Sequence, residues 1–526
     1  MAAEATAQPT SRSESGVLPS GSSAHRGSFW RKCGPLIRSL AGKYKPPEVG
    51  SGRGRIQLTA QAGRSNSAVQ KKKIPHADLR GFLLGIRRSA SMLRLTRLRQ
   101  ACLLGHLRAM SGIDSNSPSA NRVWITGSSV LAGGSSSKEE VWDALARDEV
   151  LAKAAPSHAE LAFEAGLDSG DVRIVSRTQL LSLSVVERAW KAAGLPASRN
   201  KLRGEGKKIR HSRIGVVAGS SLGGLCAMDH DLRLAGEPSP YSLSRWRGNS
   251  TAAAVALRFG GGGADFSTNA ASATGAQTLY LAAMLVRSGV LDAVVAVAAD
   301  EAPTEGVLTA MESNRSVAHS SEARPLGVLR KGMKPCEGAA CLILESESHA
   351  LARGAKPIAE WLDGAAGNEA RHFLAPDPEG EVLGELLAQI LGRSAGVSPA
   401  GQIHSLGGGT PALHPKKLWA LLHATGTPRF DGIEISRLRR FFGGSLPWIT
   451  AVKRTTGHAL GASGMIEAVL AVEGLRLRKV PCWPSSTDPA LALDAACPAN
   501  SPQPESALLI GQGMGGTVVL NLLARR

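Results

Sequence analysis

Ser272 stands in "AASATGAQTLYLAAMLVRSG", where a run of small residues gives way to a segment rich in Leu, Ala and Met. That composition predicts a helix from about Ala273 to Ser288, stopped by Gly289. The N-terminus of a helix exposes backbone N–H groups and a positive partial charge, a field that lowers a nucleophile's pKa and favours a nearby anion. Ser272 is therefore a candidate nucleophile. It is equally a favoured helix N-cap, worth about 1 kcal/mol, and the segment alone leaves both readings open.

The elements that would position such a residue are legible further along the chain. From Asn121 onward, apolar strands are predicted at "RVWITG", "RIGVVAGSS", "DAVVAVAAD", "AACLILES", "GQIHSL", "PWITAV" and "SALLIGQG", with helices between them such as "KEEVWDALA", whose acids fall in the first turn. Apolar strands alternating with helices imply an α/β protein whose mostly parallel sheet is covered on both faces. No simple repeat of 20 to 50 residues is visible.

The chain has 526 residues and a formal charge of +19. Residues 1–120 hold 20 Lys and Arg against five acids, so they carry +15 and everything after them only +4. The body is nearly neutral and gives no nucleic-acid signature. The basic segment 1–120, rich in Ser, Gly, Pro and Arg, is expected to be a disordered extension. Within it, Leu79 to Met110 has the pattern of a basic amphipathic helix, and Met110, followed by a polar lead and then a strand, is the expected start of translation. Seven cysteines form no CxxC pair and no Cys/His cluster at metal spacing, which points to a reducing, cytoplasmic compartment. No apolar run approaches the roughly 18 residues that span a bilayer.

From Arg122 to Arg526 the motifs resemble, in order, those of the β-ketoacyl-acyl-carrier-protein synthases of the thiolase superfamily. They are "VWITGSSVLAGG", "IGVVAGSSLGGL", "AASATGA" with "RSGVLDAVVAVAADE", "ARPLGVLRKGMKPCEGAACLILE", "HSLGGGTP", "VKRTTGHALGASGMIEAVLA" and "GQGMGGTVVLNL". The resemblance implies a five-layered αβαβα fold of two similar halves, 121–350 and 351–526. It further implies a homodimer, or a heterodimer with an active synthase, and a pocket for an acyl chain on the phosphopantetheine arm of an acyl carrier protein. No metal or redox cofactor is implied. Ser272 falls where the family has its acyl-accepting Cys, and Leu406 in "HSLGGGTP" is matched to the first catalytic histidine. Lys453 and His458 in "KRTTGH" and Glu337 in "CEGAA" complete the set, with Glu337 expected as a buried carboxylate beside Lys453. Leu406, Thr410, Thr456, Gln512, Met514 and Gly515 are placed around the substrate, Gln512 and Met514 where the family presents aromatic gating residues.

A serine lacks the ready thiolate of a cysteine and needs an adjacent base. A leucine carries no proton, and loss of one oxyanion donor costs about 10²–10³ in rate. On these matches condensation is disfavoured, and the first expectation is a non-condensing partner resembling a chain length factor. The alternative is a Ser272-dependent acyltransferase or thioesterase-like enzyme with His458 as base. A third reading, a basic tail engaging nucleic acid or an anionic membrane, ranks last.

Overall fold

A computed structural model describes residues 121–196, 199–203, 208–320, 322–394, 417–443, 446–481, 487–493 and 503–526. The extension 1–120, Leu406 and Thr410 lie outside the described residues, as does the strand predicted at "GQIHSL".

Ten strands follow one another along the chain: β1 (Val123–Ala132), β2 (Ile214–Gly219), β3 (Asp265–Thr268), β4 (Ala293–Asp300), β5 (Gly338–Ser346), β6 (Ala359–Asn368), β7 (Leu418–Leu421), β8 (Trp448–Thr450), β9 (Ser506–Gly513) and β10 (Thr517–Ala524). Their spatial order is β3-β2-β4-β5-β1-β6-β10-β9-β7-β8. Counted inward from either edge, the five strands of each half have the same order. The pairings repeat as well. The β2–β3 and β2–β4 pairs are parallel and β4–β5 and β5–β1 antiparallel, just as β7–β8 and β7–β9 are parallel and β9–β10 and β10–β6 antiparallel. The halves meet through a short antiparallel join of Val123–Ile125 with Ala359–Trp361.

This duplication is the two-halved, thiolase-like α/β fold expected from the motifs, with one difference: antiparallel pairs are as prominent as parallel ones. The long apolar strands β4 and β5 are buried along their whole length, as strands covered on both faces must be.

Helices supply the other layers. The outer face of the first half is covered by α1 (Arg177–Ala192) and α2 (Ser250–Phe259), and the outer face of the second by α4 (Glu381–Ser394) and α5 (Pro428–Phe442). Between the half-sheets run α3 (Thr274–Arg287) and α6 (Ser463–Leu477), each touching strands of both halves. Helix α6 is buried from Ser463 to Leu475, which explains why its sequence shows no amphipathic stripe. The two central helices cross at Gly275 and Gly464: a Cβ on either would run into the backbone of the other helix. That close crossing brings the start of α3, with Ser272 just ahead of it, beside the turn that carries His458. Among the described residues, no helix is long and apolar enough to cross a membrane.

Candidate active site

The predicted helix after Ser272 is observed as α3, one residue shorter at each end. Ser272 precedes its cap residue Ala273, and its own side chain makes no capping bond to the helix, so the N-cap reading is not what the structure shows. The turn is held by the first residue of the helix. The hydroxyl of Thr274 donates to the Ala271 carbonyl at 2.6 Å and accepts the Ala270 N–H at 2.8 Å. Ser272 is half-buried on the wall of a partly open pocket of about 530 Å³.

Among the residues that line the pocket from the opposite half is His423, two positions beyond β7. Its ring meets that of His458 edge to face, with centroids 6.2 Å apart at 89°. Lys453 Nζ donates to the His423 carbonyl at 2.6 Å and forms an ion pair with Glu467. The histidine beside His458 is His423; Leu406, matched to the first catalytic histidine, lies outside the described residues.

The loop carrying His423 is fastened by two acids of α5. Glu434 accepts the N–H groups of His423 and Ala424 at 2.8 and 2.9 Å, and Asp431 accepts those of Gly426 and Leu326 at 3.1 and 2.8 Å. Burial pushes Asp431 up to about 6 and Glu434 up to about 8, against the pull of these N–H donors. Thr427 caps α5, accepting the Phe430 N–H at 3.3 Å, with Pro428 at the first helical position.

His458 is 1 % exposed. Its Nδ1 accepts the Leu460 N–H at 3.0 Å, so in the neutral ring Nε2 carries the proton, and Nε2 has no hydrogen-bond partner among the described residues. That tautomer makes His458 a donor, which removes it from the role of base to Ser272. Its turn is pinned by Asp300 at the end of β4, which accepts the Ser220 hydroxyl at 2.6 Å and the Gly461 N–H at 2.7 Å. Burial, with help from the Lys453 charge, pulls His458 down to about 3 and holds His423 well below the usual imidazole range. Both rings are neutral at physiological pH.

Three of the nine left-handed non-glycine residues among the described residues lie at these side chains. Ala271, Ala424 and Leu460 have φ of 49°, 29° and 48°, left-handed values for residues that carry a Cβ. Each lies within two residues of Ser272, His423 or His458.

The remaining expected residues separate. Glu337 does not reach Lys453: Arg177 grips its carboxylate at 2.7 Å through both Nε and a terminal guanidinium nitrogen, and the buried partner of Lys453 is Glu467 on α6. Thr456 turns its hydroxyl back to the carbonyls of Val452 and Gly457 and is absent from the Ser272 pocket. Gln512 and Met514 do line that pocket. Gly515, at φ 90°, instead fixes the β9–β10 turn by donating its N–H to the Phe373 carbonyl.

Sequence reasoning missed His423, Asp431, Glu434 and Glu467. The signal was present in "LWALLHATGTPRFDGIE": a histidine just past an apolar strand, with Asp and Glu eight and eleven residues on.

Residues 120–350 match the N-terminal domain of β-ketoacyl synthases and residues 420–485 their C-terminal domain, the latter beginning in β7 and excluding Leu406. The chain belongs to the β-ketoacyl synthase family. It is 27 % identical over 355 residues to the 3-oxoacyl-[acyl-carrier-protein] synthase 2 of Mycobacterium bovis, covering 65 % of this chain and 78 % of that protein. Among solved structures it resembles a type II polyketide ketosynthase in complex with its acyl-carrier protein and bound to the hexaketide (TM-score 0.62, 21 % identity, 77 % of this chain and 100 % of that one). It also resembles the ishigamide ketosynthase/chain length factor (TM-score 0.63, 19 % identity, the same coverage).

Proposed function

We propose that the protein is an acyl-transfer member of its family, in which Ser272 takes an acyl group from the thioester of a carrier protein. One observation carries the reading: His423, a neutral imidazole, lines the same pocket as Ser272 and is anchored from behind by Glu434 and Lys453. A serine without a base is inert near neutral pH, whereas a serine with an adjacent neutral histidine has the means to react. In the step proposed, Ser272 Oγ attacks the thioester carbonyl and His423 removes the hydroxyl proton. The carbon–sulfur bond then breaks, and the departing phosphopantetheine thiolate takes that proton from His423. His458 meets the His423 ring but does not itself line the Ser272 pocket.

The non-condensing partner role keeps its support in the serine at the cysteine position, while the neutral His423 on the same pocket favours acyl transfer over it. Association with a second synthase-like subunit, identical or different, is a proposal supported by β3. This strand is at the sheet edge, is largely exposed and carries Phe266 at 40 % exposure, a template for strand addition.

The test is the intact mass of wild type and Ser272→Ala after incubation with acyl- and malonyl-loaded carrier protein. Gain of one acyl group that vanishes in the variant is expected. No gain in wild type would leave the partner role as the better reading.

A further inference from the structure

We propose that Gln512 is a selectivity residue that reads an oxygen on carbon 3 of the acyl chain, so that the pocket takes 3-oxo- or 3-hydroxyacyl groups in preference to saturated ones. The inference rests on the reading of this pocket as the acyl site.

Gln512 is 4 % exposed and lines the pocket of Ser272, yet its Nε2 has no hydrogen-bond partner among the described residues. Buried polar groups are nearly always paired, because a donor removed from water without a partner loses its hydration with nothing in return. The neighbouring wall residues Met514, Met333 and Phe430 show what packing alone would select. An amide in such a wall waits for an acceptor that none of the described residues supplies.

The position of that acceptor follows from the backbone. Gln512 is held in the β9–β10 hairpin opposite Val518. A Cβ on the next residue, Gly513, would collide with the carbonyl of Ala270, two residues before Ser272. The hairpin therefore presses against the nucleophile turn, and the amide lies near the first carbons of a chain attached to Ser272. Since Nε2 is a donor, its partner is a carbonyl or hydroxyl oxygen of the ligand. A saturated chain would leave it unpaired, and sites with a stranded polar group discriminate strongly against the analogue that lacks the matching atom.

The test is calorimetric titration of the full chain with hexanoyl- and 3-hydroxyhexanoyl-pantetheine amides, in which N–H replaces the thioester sulfur so that no acyl transfer intervenes. The 3-hydroxy ligand is expected to bind wild type about tenfold more tightly, the value of one recovered hydrogen bond. In Gln512→Leu the two affinities should converge through weaker binding of the 3-hydroxy ligand. Equal binding of both amides to wild type, or a Gln512→Leu loss that is the same for both, overturns the role of Gln512 while leaving the acyl pocket in place. Binding of neither amide overturns the acyl-site reading and this inference with it.

Discussion

Lys453→Met is the perturbation that most directly tests how the site is held together. Lys453 and Glu467 are each 2 % exposed, and Lys453 also donates to the His423 carbonyl. Removing the lysine strands a buried carboxylate, and breaking one partner of such a pair costs about 3–5 kcal/mol. Replacing both residues by apolar ones, Lys453→Met with Glu467→Leu, leaves only the His423 carbonyl short of a donor. The double variant should then regain all but about 1–2 kcal/mol. Denaturant midpoints of the full chain, read at unchanged slope, give both values. The single variant should also depend on pH. Burial already raises the carboxyl of Glu467 above its ordinary value with Lys453 present, and removing the cation raises it further. An acid raised in the folded state contributes stability at low pH that is lost as pH climbs through the folded value, so the deficit of Lys453→Met should grow from pH 5 to pH 8. A single-variant cost below about 1 kcal/mol, or a double variant as unstable as the single, would refute the view that the ion pair anchors the histidine loop.

Three further outcomes follow from the same geometry. His423→Gln should lower the rate of acyl-Ser272 formation by about 10²–10⁴ with little change in stability, since the backbone bond to Glu434 remains; stopped-flow mass measurements retaining the wild-type rate would remove His423 as the base. Because His423 is held well below the usual imidazole value by burial, the acylation rate should stay flat from pH 8 down to pH 6, and a fall centred near the ordinary imidazole value would contradict that environment. Ala424→Gly, at φ 29°, should raise stability by about 1 kcal/mol through relief of left-handed strain; a lower melting temperature would show that the strain is absent.

What could be read from residues alone was local or ordered along the chain. The helix behind Ser272, the buried runs that became β4 and β5, and the motif order that implied two similar halves all depend on composition, period and sequence, which neighbours in the chain share. Gln512 and Met514, which line the pocket, came from the resemblance of "GQGMGG" to the family's C-terminal glycine-rich turn.

Partners on separate elements were not legible. Glu337 and Glu467 are both acids that a buried lysine could pair with, and nothing in their spacing from Lys453 separates them. The fold decides, because α6 runs through the centre of the molecule past Lys453, while the residue before β5 meets Arg177. His423 meets His458 only because β7 pairs in parallel with β9, a contact that the motif order did not reveal. Sequence determined which chemical groups the protein owns and which short segments hold them. Tertiary structure alone decided which groups meet, because some contacts that assemble this site cross between the halves, as Asp431 to Leu326 does, and others, such as Lys453 to Glu467, join separate elements within one half, and no local pattern encodes either kind of meeting.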